Sequence, residues 1–264
     1  MSDLFAALLL GILEGLTEFL PVSSTGHLLI AQHWLGARSD FFNIVIQAGA
    51  ILAVVLALRQ RLWTLATGLD RAENRDYVAK LALAFAVTAV VGLPVRLLGW
   101  ELPETVAPIA WALVIGGIWM LVAERVAERR PDRDLVTWQV AVLVGLAQVV
   151  AGVFPGTSRS AAAIFMAMLA GLSRRASAAE FVFLVGIPTM FAASGYAFLE
   201  LVADGALGGE AWLDVAVAFA AAAATGFLVV RWLLAWVKRH RFTGFAVYRI
   251  ALGAVLLVWL PAGE

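Results

Sequence analysis

Apolar residues in this chain come in long runs. Six of them, near residues 41–58, 81–98, 105–123, 181–199, 213–230 and 242–260, are long enough to cross about 30 Å of hydrocarbon, which takes ~17–25 helical residues. Two further apolar segments, 4–35 and 138–172, are interrupted near their middles, at Pro21 and at Pro155-Gly156. Proline has no amide hydrogen and disfavours helix for the residue before it, so a helix over 4–20 is expected to stop at Pro21. Ser23, Ser24 and Thr25 are then N-cap candidates for a second helix with His27 in its first turn. Broken segments of this kind can fold as re-entrant hairpins where protein or a water-filled cavity covers the free backbone groups. The expected fold is an all-α polytopic membrane protein with six transmembrane helices and two re-entrant helix-break-helix hairpins.

The two broken segments resemble each other. Gly11, Glu14, Pro21 and Ser24 align with Gly145, Gln148, Pro155 and Ser158 at one offset of 134, and three spans follow each segment. This reads as a single membrane domain, 1–264, made of two repeats, 1–125 and 138–262, joined by a basic loop. Short loops rich in Lys and Arg stay cytoplasmic, which places the connections holding Arg59 to Lys80, Arg125 to Arg133 and Arg231 to Arg241 inside. The acidic linkers, with Glu101 and Glu104 in one and Glu200, Asp204, Glu210 and Asp214 in the other, go outside, as do both termini. A hairpin plus three spans is an odd number of crossings, so the repeats have inverted topology, an arrangement that elsewhere places a binding site at discontinuous helices.

Composition agrees with a membrane location. The hydrophobic fraction is 62 %, against the roughly 45–50 % of soluble domains. Basic and acidic residues balance at 19 each, so no nucleic-acid footprint is visible. The absence of cysteine removes disulfides, thiol catalysis and thiolate metal sites. The start, MSDLFAALLL, lacks a basic n-region and a small-residue cleavage site and is expected to stay in the mature protein.

The chemistry concentrates at the two breaks. Glu14 and Glu18 are four residues apart, on one face of the expected helix. At mid-bilayer a charge costs roughly 2.5–3.5 kcal/mol, so two glutamates among Leu, Ile and Phe point to function. In PGTSRS, residues 155–160, Ser158 or Ser160 can cap the second half-helix, with Arg159 beside its start. Two facing helix N-termini form an anion site, and a guanidinium suits phosphate. Carboxylates repel phosphate unless a hard divalent cation lies between them, so Glu14 and Glu18 predict Mg²⁺ or Ca²⁺ bridging a diphosphate. The expected substrate contacts are Ser23, Thr25, Gly156, Thr157, Ser158 and Ser160. His27 and the hydroxyls of the Ser23-Ser24-Thr25 run supply a nucleophile or a base that orients water, and which group attacks stays open.

Other polar residues have plainer readings. Arg159 as a snorkelling edge anchor competes with its phosphate role. For Arg249, inside FAVYRIALG, snorkelling or pairing with Glu180 competes with substrate contact. Gln148, the counterpart of Glu14, is expected to bond across the pseudo-symmetric interface. Trp63, Trp100, Trp138 and Trp259 read as interface anchors. A lipid flippase or secondary transporter would share the inverted-repeat architecture, but Glu18 and His27 have only Gly152 and Ala161 as counterparts.

EGLTEFLPVSSTGH followed by PGTSRS resembles the bacterial undecaprenyl-diphosphate phosphatase (bacitracin-resistance) family, and FFNIVIQAGAILAV, AAEFVFLVGIP and FAVYRIALG follow the family order. The resemblance implies a multi-pass inner-membrane hydrolase that removes the terminal phosphate of a polyprenyl diphosphate, recycling the lipid carrier of peptidoglycan synthesis. It implies a metal-dependent site at Glu14, Glu18, Ser24, His27 and Arg159. Two departures each remove a hydroxyl: Ala163 replaces a usual threonine and Val182 a usual serine. The sequence leaves a monomer or a homo-oligomer open.

Overall fold

The apolar runs fold as helices, and polar residues at their ends extend most of them. The computed structural model describes residues 3–100, 105–205 and 211–259. Among these, all regular structure is helical: α1 (Asp3–Thr17), α2 (Ser24–Leu35), α3 (Asp40–Ala57), α4 (Arg59–Thr67), α5 (Ala72–Leu97), α6 (Val106–Glu128), α7 (Trp138–Val153), α8 (Arg159–Leu169), α9 (Arg175–Ala203), α10 (Trp212–Trp236) and α11 (Thr243–Trp259). Helices α3, α5, α6, α9 and α10 are long and apolar enough to span a bilayer, and α11 is a shorter apolar helix. The chain is a multi-pass membrane protein. Glu101, Glu104, Glu210 and the side chain of Trp259 lie outside the described residues.

Two local expectations are corrected. The basic connection after α3 contains α4, where Leu65 is buried and Arg61 pairs with Glu180 at 2.9 Å; Arg, Gln, Leu and Ala favour helix, and Leu62 and Leu65 give it an apolar face. Helix α1 ends at Thr17, so Glu18 lies in the turn rather than on the helix. Its amide still donates to the Glu14 carbonyl at 2.9 Å, but Pro21 prevents the helix from continuing.

Packing crosses between the halves. Helix α1 lies against α10, and α7 against α5. Small residues permit this closeness: a Cβ on Gly11 would collide with the Ala218 carbonyl, and one on Gly145 would stand 2.6 Å from the Ala84 carbonyl oxygen. The main apolar core surrounds α8, with Phe165 and Met168 packed among Val144, Phe181, Val230 and Leu233. Ala163 and Val182 are both buried in it. Helix α8 is therefore almost wholly enclosed, whereas the only fully buried residue of α2 is Gly26.

Candidate active site

Each break ends in the same way. Ser23 caps α2 by accepting from the Gly26 amide, and Ser158 caps α8 by accepting from the Ala161 amide, both at 3.3 Å. The two serines are the positive-φ residues other than glycine among those described, at φ 74° and 67°. Strain of this kind costs of order 1–3 kcal/mol and persists where surroundings over-determine it. The caps differ by 135 in number, not 134, because the second break has one more residue between proline and cap. Beyond the breaks Ser24 therefore matches Arg159, the first residues of their helices.

The breaks touch. Ser160 donates to the carbonyls of Glu18 at 3.4 Å and Leu20 at 3.2 Å. Arg249, from α11, donates to Pro21 of the first break at 3.3 Å, to Gly156 of the second at 3.0 Å, and to Ala112 of α6 at 3.1 Å. It is fully buried, which excludes snorkelling, and Glu180 pairs with Arg61 instead.

Six of the expected site residues line two cavities, and Ser23, Gly156, Thr157 and Ser158 line neither. A larger one, about 480 Å³, is lined by Glu14, Ser24, Thr25, Gln32, Asn43 and Gln47 together with apolar residues of α2 and α6. A small one, about 30 Å³, is lined by Glu18, Gln148, Arg159, Ser160 and Val182. Ser24 connects them, since its hydroxyl donates to Oε2 of Glu18. His27 is not among the lining residues of either. Its Nδ1 lies 2.7 Å from the Ser23 carbonyl, which can only accept, so Nδ1 carries a proton. Nε2 lies 2.6 Å from the Tyr248 hydroxyl.

Several groups are left without partners. Glu14 is 2 % exposed, and its Oε2 has no hydrogen-bond partner; neither does Oε1 of Gln148, which therefore makes no bond across the interface through that atom. No hydrogen bond or ion pair to the Arg159 guanidinium is found among the described residues. Nor is there, among them, a group of three or more His, Cys, Asp or Glu side chains able to hold a metal. Tyr248 and the partners of Arg249 were not foreseen; the signal for both was Tyr-Arg inside an apolar run.

Two buried carboxylates, a serine hydroxyl donating to one of them, and a guanidinium thus lie where the two breaks of a membrane protein meet. Residues 7–255 match the family described as bacitracin resistance protein BacA, and the chain belongs to that family. It is 75 % identical over 262 residues to an undecaprenyl-diphosphatase of Xanthomonas oryzae pv. oryzae (strain PXO99A), covering 99 % of each chain. To the undecaprenyl-diphosphatase of Xanthomonas campestris pv. campestris (strain 8004) it is 74 % identical over 262 residues, 99 % of this chain and 100 % of the other. To that of Stenotrophomonas maltophilia (strain K279a) it is 75 % identical over 264 residues, all of both.

Proposed function

We propose that this protein hydrolyses undecaprenyl diphosphate, or a related polyprenyl diphosphate, to the monophosphate and inorganic phosphate, recycling a cell-wall lipid carrier in the bacterial plasma membrane. The observation that carries the reading is the Ser24–Glu18 hydrogen bond at the meeting point of the two breaks. Ser24 lines the larger cavity, and Glu18 can take its proton as Oγ attacks the terminal phosphorus. The polyprenyl monophosphate leaves, and water then hydrolyses the phosphoserine, returning the proton to Ser24. His27 is a poorer attacker, because both of its ring nitrogens are engaged. Arg159, whose guanidinium has no hydrogen-bond partner among the described residues, offers a cation to the phosphate oxygens.

Glu14 and Glu18 would hold a divalent ion. The fit rests on the unpartnered Oε2 of Glu14, buried beside the cavity. Two carboxylates with the rest of the shell from substrate and water is how Mg²⁺ is usually held. When bound, the ion would offset repulsion between the carboxylates and the diphosphate.

Six spans, two re-entrant hairpins in inverted repeats, and both termini on the outer face complete the reading. It is supported by the crossed packing of α1 on α10 and α7 on α5 and by the distribution of basic loops. A lipid flippase is the second reading, favoured by the matched strained caps at Ser23 and Ser158. Against it, the positions matching Glu18 and His27 are Gly152, before the second break, and Ala162, after it, so carboxylate and imidazole chemistry sits on one break only. Purified protein should release phosphate from a polyprenyl diphosphate with Mg²⁺ or Ca²⁺ and stop with chelator. Lipid movement across sealed vesicles without any release would establish the flippase instead.

A further inference from the structure

We propose that Tyr248 and Arg249, consecutive on α11, are positioning residues for the reaction: Arg249 clamps the two breaks together and Tyr248 fixes the orientation of His27. The roles in catalysis rest on the phosphatase reading above; the clamp itself does not.

Among the described residues Arg249 has no carboxylate partner. Its hydrogen bonds, from two terminal nitrogens, all go to backbone carbonyls on three separate segments, and those of Pro21 and Gly156 belong to opposite breaks. A guanidinium is a planar fork of five donors that stays charged when desolvated, so it can join separated acceptors. A lysine ammonium is a single nitrogen and reaches fewer of them. The fold makes room for the group: a Cβ on Gly116 of α6 would run into the guanidinium, with Cζ at 2.9 Å. The Pro21 and Gly156 carbonyls lie within three residues of Ser24, Glu18 and Arg159 in sequence, so a shift of either break moves the reacting groups apart.

Tyr248 acts on the first break alone. Since Nδ1 of His27 donates to Ser23, neutral His27 can only accept at Nε2, and the Tyr248 hydroxyl 2.6 Å away is its donor. The ring is thereby held at both nitrogens. One turn of α11 thus reaches both sides of the junction.

The test uses purified full-length protein in detergent, a synthetic polyprenyl diphosphate and Mg²⁺. Displacement of a catalytic group by about 1 Å can cost about 100-fold in rate, so Arg249→Met and Gly116→Ala are expected to lower kcat on that scale with KM little changed. Arg249→Lys should recover part of the loss. Tyr248→Phe should lower kcat by about tenfold, within the usual effect of a hydrogen bond to an ionisable group, without moving the thermal midpoint. Wild-type kcat in a folded Arg249→Met protein, or in Tyr248→Phe, would overturn the proposal. Because the chain has no cysteine, spin labels at Leu20→Cys and Phe154→Cys report the spacing of the breaks without any activity. The distance distribution should be narrow with Arg249 and broad in Arg249→Met; equal widths in both would overturn the clamp even if the phosphatase reading stands. Absence of phosphate release by the wild type, with a broadened label distribution in the variant, would instead overturn the phosphatase reading and keep the clamp.

Discussion

The hydroxyl of Ser24 donates to Oε2 of Glu18 across the turn that interrupts the first broken helix. Removing either side of this pair removes the base from the hydroxyl. Ser24→Ala and Glu18→Gln should each lower kcat by about 10²–10⁴-fold, the range of positioned proton transfer, and the double variant should be little worse than the poorer single one. Steady-state phosphate release measures this. Losses that multiply in the double variant would show that the two residues do not act as a unit.

Glu14 tests the divalent ion. Losing an outer partner of a metal ligand costs about 10–100-fold in affinity, and loss of one of two carboxylate ligands should cost at least as much. Glu14→Gln is therefore expected to need far more Mg²⁺ for half-maximal rate while approaching the same rate at saturation. An unchanged Mg²⁺ titration would remove Glu14 from the ligand set.

Gly145 tests the packing. A side chain there enters the Ala84 carbonyl at 2.6 Å, whereas a Cβ on Gly152 of the same helix meets nothing within 4 Å. Gly145→Val should lower stability by about 1–3 kcal/mol, the usual cost of overpacking. Gly152→Ala should be neutral or slightly stabilising. Thermal unfolding in one detergent compares them; equal midpoints would mean that α7 does not press on α5 as described.

Val182 lines the small cavity with the unpartnered Oε1 of Gln148. A serine there loses apolar burial but can donate to that oxygen, a bond worth about 0.5–1.5 kcal/mol. Val182→Ser is expected to be at least as stable as Val182→Ala. A serine variant clearly less stable than the alanine one would show that the hydroxyl finds no partner.

The spans were legible because a bilayer demands long apolar helices: five of the six expected runs fell on helices of that length, and the last on the shorter α11. The breaks were legible because proline acts locally. Their finer geometry was not. Whether Glu18 stays helical depends on where the backbone turns before Pro21, which is settled by Ser23 capping the next helix and by Ser160 pulling on the Glu18 and Leu20 carbonyls from the other half. The caps of the two breaks lie 135 apart rather than the 134 that separates the prolines, since a one-residue difference within a turn leaves little trace in side-chain pattern. Arg249 illustrates the general limit. Its charge inside an apolar run was conspicuous, but its partners are backbone carbonyls, which every residue carries and no composition marks. Helix α4 was hidden by its own charges, which made it look like a loop.

The seating of α1 against α10 also has a consequence for biogenesis. The partner surface of the first helix, Ala218 and Ala222, is translated about 200 residues after it, by the numbering, and ribosomes add roughly 5–20 residues per second. For many seconds the Gly11 and Gly15 face of α1 therefore lacks the α10 surface that it packs against in the finished protein. Truncation before Trp212 should leave a fragment that quality-control proteases recognise and clear.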